Sequence, residues 1–239
     1  LFLTGTGIHE VSDAGALRWS YATTKVSHDV QRLPNGDTLW NFGNSDSYND
    51  AGTNAQMMRV NDAGVVVWSW YAKDHIANDG IFDQGWTHAN AVLWQSENSI
   101  FINLRNQYKT LELNSDGGVV WTMDWSVYGT DVDPHEPDIL PNGNMLICLQ
   151  NDSPFRAVEI NRTTKDAGWT YANANLRTPR DCDRLPNGNT LIVGVDTGGT
   201  NSVQTDDYST MLEVNDAGKT VWRMTANTKV VGLAPGYFY

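Results

Sequence analysis

The chain has 239 residues, 40% of them hydrophobic, with 16 basic and 28 acidic side chains and a formal net charge of −12. That length suits one large all-β domain or two small domains, and it is enough to bury a core. The charge excludes nucleic acid, which needs a basic face, and an anionic membrane surface; no apolar run of about 18 or more residues is present to span a bilayer.

The opening stretch LFLTGTGIHE lacks a Met and is too short and Gly-rich for a secretory leader, although a leader already removed would leave the same start. LFLTG, GIHEVSD and ALRWSYA then read as three strands ending around Trp19. From His28, HDVQRLPNGDTLW gives a strand, a Pro-Asn-Gly turn and a second strand; QMMRVND and a strand carrying Trp68 follow. The same order recurs from His88 (HANAVLWQSENSIFI, KTLELNS, Trp121), from His135 (HEPDILPNGNMLI, RAVEINR, Trp169) and from Arg180 (RDCDRLPNGNTLIV, TMLEVND, Trp222).

A turn precedes each of the five tryptophans: SDAGALRW, NDAGVVVW, NSDGGVVW, KDAGW and NDAGKTVW. In these turns Gly supplies positive φ, and in Pro-Asn-Gly the proline presets φ. The tryptophans stand 49, 53, 48 and 53 residues apart. No segment carries a helical period. Four-stranded units at this spacing are the signature of an all-β fold, the β-propeller.

The first unit lacks its first strand, and the C-terminal TKVVGLAPGYFY falls where a further first strand would begin. The expectation is a single propeller domain over 1–239. Its five blades cover roughly 1–27 plus 229–239, 28–78, 86–130, 135–175 and 180–228. The C-terminal strand joins the N-terminal blade and leaves no open sheet edge. The same terminal strand could instead complete a neighbouring molecule and build a fibre. Cys148 and Cys182 are too few for a disulfide framework; they form either one bridge or, as expected here, two small core residues.

The first strand of a propeller blade lines the central channel. His28, His88, His135 and Arg180 each head a first strand, so they are expected as a polar, cationic ring at one channel mouth. Arg105 ends the strand antiparallel to the one His88 begins, which returns it to His88. His9 and His75 fall outside this pattern and read as surface or structural residues. Clustered His and Arg suit an oxyanion, with Arg offering a planar fork and a neutral His able to act as nucleophile or acid–base. Three histidines could hold a transition metal, but Arg105 and Arg180 would repel it; no metal and no cofactor is expected.

The stretch WTHANAVLWQSENSIFINLRNQYKTLELNSDGGVVW resembles a signature blade of the bacterial arylsulfotransferases: His followed by Ala and Asn, then a strand ending in Arg before Asn-Gln. The neighbouring HDVQRLPNGD and HEPDILPNGN resemble that family's adjacent blades, so the likeness is clear from about Ser27 to Asn151. The resemblance implies a secreted or periplasmic β-propeller transferase without a nucleotide donor. It implies that His135 is the nucleophile that is transiently sulfated, that His88 and Arg105 grip the sulfuryl oxygens, and that His28 is a further channel histidine. It places Asn90 in the same motif as a supporting substrate residue. The partners implied are an aryl sulfate and a phenol. Trp86, Tyr48 or Phe82 would stack on the phenol ring, and Arg180 adds a cation with no family counterpart. The family has six blades, against five read here, and a separate N-terminal domain that this sequence does not show. Two alternatives stand beside this reading: a lectin with a sugar site between blades, which needs near-identical polar sets in every blade, and a structural subunit joined through terminal strands.

Overall fold

The computed structural model describes residues 1–49, 54–78, 84–129, 132–150, 155–197 and 208–226. These carry nineteen strands in five antiparallel sheets, and the fold class is the five-bladed β-propeller. The first blade contains β1 (Phe2–Thr4), β2 (Gly7–Val11) and β3 (Leu17–Ala22); its missing first strand, expected from 229–239, lies outside the described residues. The second holds β4 (Val30–Arg32), β5 (Thr38–Asn41), β6 (Met57–Val60) and β7 (Val66–Trp70), and the third β8 (Ala89–Ser96), β9 (Ser99–Leu104), β10 (Lys109–Leu113) and β11 (Val119–Asp124). The fourth holds β12 (Asp133–Ile139), β13 (Met145–Gln150), β14 (Arg156–Ile160) and β15 (Ala167–Ala172), and the fifth β16 (Leu176–Arg184), β17 (Thr190–Asp196), β18 (Tyr208–Val214) and β19 (Thr220–Ala226). The chain divides into two compact units, Leu1–Asp124 with three blades and Trp125–Tyr239 with two.

The turn chemistry follows the sequence closely. In the Pro-Asn-Gly hairpin of the second blade, Gly36 N donates to Leu33 O (3.0 Å) and Leu33 N to Asp37 O (2.8 Å), with Gly36 at φ +89°. In the Asp-Ala-Gly hairpin, Gly64 N donates to Asn61 O, and the Asn61 side chain accepts from Ala63 N and Val65 N. The fourth blade departs from this pattern. Its Asp166-Ala167-Gly168 is not the turn, because β15 begins at Ala167 and the left-handed residue is Lys165, φ +65°. The loop closes earlier, with Lys165 N donating to Asn161 O (2.7 Å).

Each turn is followed by the same register break. It falls after Glu10, Arg59, Glu112, Glu159 and Glu213, which oppose Trp19, Trp68, Trp121, Trp169 and Trp222 in register. In the first and fourth blades the indole beside the bulge reaches the following blade. Trp19 Nε1 donates to Asp62 O and Trp169 Nε1 to Asp216 O, each at 3.0 Å. In the second blade Trp70 takes that role, donating to Gly117 O (3.0 Å). An arginine completes two of these junctions. Arg32 lies over the Trp19 ring (4.5 Å) and pairs with Glu10; Arg184 lies over Trp169 (5.0 Å) and pairs with Glu159 (2.8 Å). The Arg of each Arg-Leu-Pro-Asn-Gly stretch is therefore an inter-blade staple, which sequence reasoning passed over as turn context.

The core lies in layers between blades. In the first unit Ile8, Trp40 and Val60 form one layer, and Leu39, Met57, Trp70, Trp86, Val92 and Ile102 belong to a second. In the second unit Leu146, Cys148, Phe155, Cys182, Ile192 and Leu212 form another. Burying apolar faces blade on blade supplies the main driving force for this fold. Among the described residues no helix is long and apolar enough to cross a membrane.

Candidate functional site

The expected site residues fall into two groups, one in each unit. In the first unit, His88 stands immediately before β8 with φ +43°, and His28 stands before β4 with φ +61°. Positive φ at a non-Gly residue costs on the order of 1–3 kcal/mol and persists only where neighbours over-determine it. The two rings lie 5.0 Å apart, tilted by 52°. Arg105 opens the short 3-10 turn Arg105–Gln107 at the end of β9, and its Nη1 lies 3.1 Å from His88 Nε2 and 3.3 Å from Nδ1. An arginine N–H can only donate, so the imidazole nitrogen that receives it carries a lone pair. The hairpin geometry expected for His88 and Arg105 is thus present.

The backbone before His88 is held from both sides. Asn106 Nδ2 donates to Gly85 O (2.7 Å), Gln107 Nε2 to Trp86 O (3.0 Å) and Asn106 N to Thr87 O (3.1 Å). From the second blade, Asp46 O accepts from Trp86 N (3.0 Å), and the Asp46 carboxylate accepts from Thr87 N (3.1 and 3.2 Å) and Thr87 Oγ1 (2.6 Å). Two glycines make this approach possible. A Cβ on Gly43 would fall 1.8 Å from Ala89 N, and one on Gly85, at φ +123°, would fall 2.0 Å from Gly43 O. Sequence reasoning saw Asn106-Gln107 only as part of a motif and missed Asp46. Its one signal was a Gly-Asn-Ser-Asp stretch at a strand end.

Asn90 and Trp86 sit deeper. Asn90 is fully buried in β8 and accepts from Asn103 Nδ2 (2.6 Å), whose own oxygen accepts from Thr110 Oγ1 (2.6 Å). Trp86 is fully buried in the core layer with Tyr48 edge-on at 4.8 Å, so here the indole packs the blade junction. Phe82 lies outside the described residues. His9 stacks on Phe2 (5.2 Å) and His75 on Trp70 (5.1 Å). Asp29, next to His28, accepts from Val92 N (2.9 Å), and burial pushes its carboxyl up to about 6.

The second unit builds its pair differently. His135 lies inside β12, fully buried, opposite Cys148 in register. The register breaks between His135 and Asp138, with Glu136 at φ +41°. Arg180 lies inside β16 of the next blade, within the register break that separates Arg177 from Asp181 and has Thr178 at φ +43°. Its Nη1 comes within 3.0 Å of His135 Nε2. The four first-strand heads share a kink but not its residue: His28 and His88 carry the positive φ themselves, whereas His135 and Arg180 have it at a neighbour. Cys148 and Cys182 are buried free thiols that hydrogen-bond to each other, and burial pushes both pKa values up, Cys182 most. Among the described residues no three His, Cys, Asp or Glu side chains gather to hold a metal ion.

Such pairs suit anion chemistry. Each sets a lone-pair imidazole nitrogen beside a fixed guanidinium, so each can bind an oxyanion, and a ring nitrogen relieved of its Arg can act as a nucleophile.

No curated protein matches the chain by sequence. Among solved structures it is similar to a protein of unknown function from Bacteroides caccae, with TM-score 0.62 and 14% identity over 93% of this chain and 76% of that one. It is also similar to a catalytically inactive virginiamycin B lyase from Staphylococcus aureus, with TM-score 0.48 and 10% identity over 82% and 69% of the two chains. At 14% identity the likeness to the Bacteroides caccae protein speaks for the fold alone. The family model for arylsulfotransferase (ASST) matches residues 2–131, over half of the chain, and this stretch contains His28, His88 and Arg105. The chain belongs to the arylsulfotransferase family.

Proposed function

We propose that the protein moves a sulfuryl group from an aryl sulfate to a phenol, with His135 as the covalent carrier. The observation that carries this reading is the 3.0 Å approach of Arg180 Nη1 to His135 Nε2 in a chain of this family. In the first half-reaction the His135 ring nitrogen attacks sulfur, an N–S bond forms, and the S–O bond to the aryl group breaks. The aryl oxygen leaves with the bonding pair and takes a proton. Arg180 turns its N–H from the ring nitrogen to a sulfuryl oxygen. In the second half-reaction the oxygen of an acceptor phenol attacks sulfur, an S–O bond forms, the N–S bond breaks with its pair returning to the His135 ring nitrogen, and the phenol proton passes to solvent. Within the first unit we assign Arg105, His88 and His28 to anion binding, as a preformed donor set that holds a sulfate-type oxyanion in its ground state. Asn90 supports that group through Asn103, and Arg180 serves the substrate as a cation.

The acidic composition and the family resemblance are in keeping with an extracellular or periplasmic location. Fractionation of the producing cell tests that placement, and recovery of the protein in the cytoplasm would overturn it. A lectin would need equivalent polar sets in successive blades, and the two His–Arg groups are built differently.

The test is release of a coloured phenol from a chromogenic aryl sulfate, with and without an added phenol, by wild type and His135→Ala. The expected result is acceptor-dependent release that vanishes in the variant, with a sulfated His135 peptide in the wild type. Undiminished turnover by a folded His135→Ala would overturn the assignment.

A further inference from the structure

We propose that Asp46, which belongs to the second blade, is the positioning residue that fixes His88 of the third. The inference rests on the reading of His88 as an anion-binding residue, but it can be tested apart from it. Asp46 follows β5 in the stretch Phe42-Gly43-Asn44-Ser45-Asp46, and it is 4% exposed. Its carboxylate receives Thr87 N, Thr87 Oγ1 (2.6 Å), Gln56 Nε2 (3.0 Å) and the backbone N–H of His88. Among the described residues all of these partners are neutral donors. A buried carboxylate without a cation is costly, so its retention calls for a compensating set of hydrogen bonds. Four donors converging on one side chain select an ionised carboxylate, since an Asn amide would turn two N–H donors toward them.

The donors are not scattered. Three of the four come from Thr87 and His88, and Asp46 O takes Trp86 N as well. Three consecutive residues leading into His88 are therefore bound to one aspartate, at the point where the chain adopts φ +43°. Asn106 and Gln107 hold the carbonyls of the same segment, so Asp46 supplies the opposite half of the clamp. Gln56 steadies the clamp in turn, because its Oε1 accepts from Ala72 N (2.8 Å) while its Nε2 serves Asp46. A small displacement of a binding group can cost a rate about 10²-fold, which sets the scale expected here.

The experiment compares wild type, Asp46→Asn and Thr87→Val, each checked for retained fold by circular dichroism. The direct readout is the NMR signal of the His88 ring at one pH, with the rings of His9 and His75 as internal references. The second readout is kcat/KM for a chromogenic aryl sulfate. The expected result for Asp46→Asn is a displaced His88 signal, unmoved His9 and His75 signals, and kcat/KM lowered about 10²-fold. Thr87→Val should show the same signature more weakly, and it carries the test if Asp46→Asn does not fold. An unmoved His88 signal in either folded variant overturns the proposal. A wild type without sulfuryl transfer would defeat the proposed function while leaving the NMR comparison to decide the role of Asp46.

Discussion

The two His–Arg pairs differ in how they are made. His88 and Arg105 lie 17 residues apart at the ends of two strands of one blade; His135 and Arg180 lie 45 residues apart on strands of successive blades. The first pair stands outside the ladder, on strained backbone that side chains from two blades hold in place. The second sits within strands: His135 is paired in the ladder opposite Cys148, and Arg180 projects from a register break inside its strand. The lesson is a division of means. A propeller can present a histidine by clamping a kinked entry segment or by embedding it in a first strand, and the cost of each lies in different residues.

The largest effect that tests this comparison is His135→Ala, which should lower sulfuryl transfer on the order of 10³-fold or more, since it removes the proposed covalent carrier. Steady-state kinetics on the folded variant measures it. Next come the arginines. Arg105→Ala should raise KM for the aryl sulfate, whereas Arg180→Ala should lower kcat, each reducing kcat/KM about 10² to 10³-fold. Equal KM and kcat signatures in the two variants would dissolve the distinction between the pairs.

A third effect concerns Asp29 beside His28. Burial raises its pKa to about 6 in the folded protein, so the folded state keeps a proton that the unfolded chain has already released. Its contribution to stability is therefore full below about pH 4 and is lost as pH rises through about 6, with a slope of at most about 1.4 kcal/mol per pH unit. Denaturant titrations between these values should show wild type losing stability relative to Asp29→Asn as pH rises. A constant difference would refute the shift.

The smallest effects are at the indole staples. Trp19→Phe and Trp169→Phe each remove one N–H donor to a turn carbonyl, at about 1 kcal/mol and about 2–4 °C in Tm. The two should match, because both junctions are built from the same Trp, Glu and Arg. A large inequality would show that the repeat is not energetically regular.

The sequence by itself determined the blades. Turn residues act locally, through φ and through side chains that bond a few positions away, so Pro-Asn-Gly and Asp-Ala-Gly could be located without a fold. Only the fourth blade escaped, because Lys165 took the left-handed position expected at Gly168. The His88–Arg105 contact was legible for the same reason: a hairpin returns its ends to each other. Tertiary structure alone decided the rest. That Trp86 packs a core layer, that Arg180 faces His135, and that Asp46 binds the segment entering His88 each depend on which blade follows which and at what register. Those contacts join residues 40 or more positions apart, or close an apolar layer that no local pattern defines. They arise from burial between sheets, and burial is a property of the assembled blades.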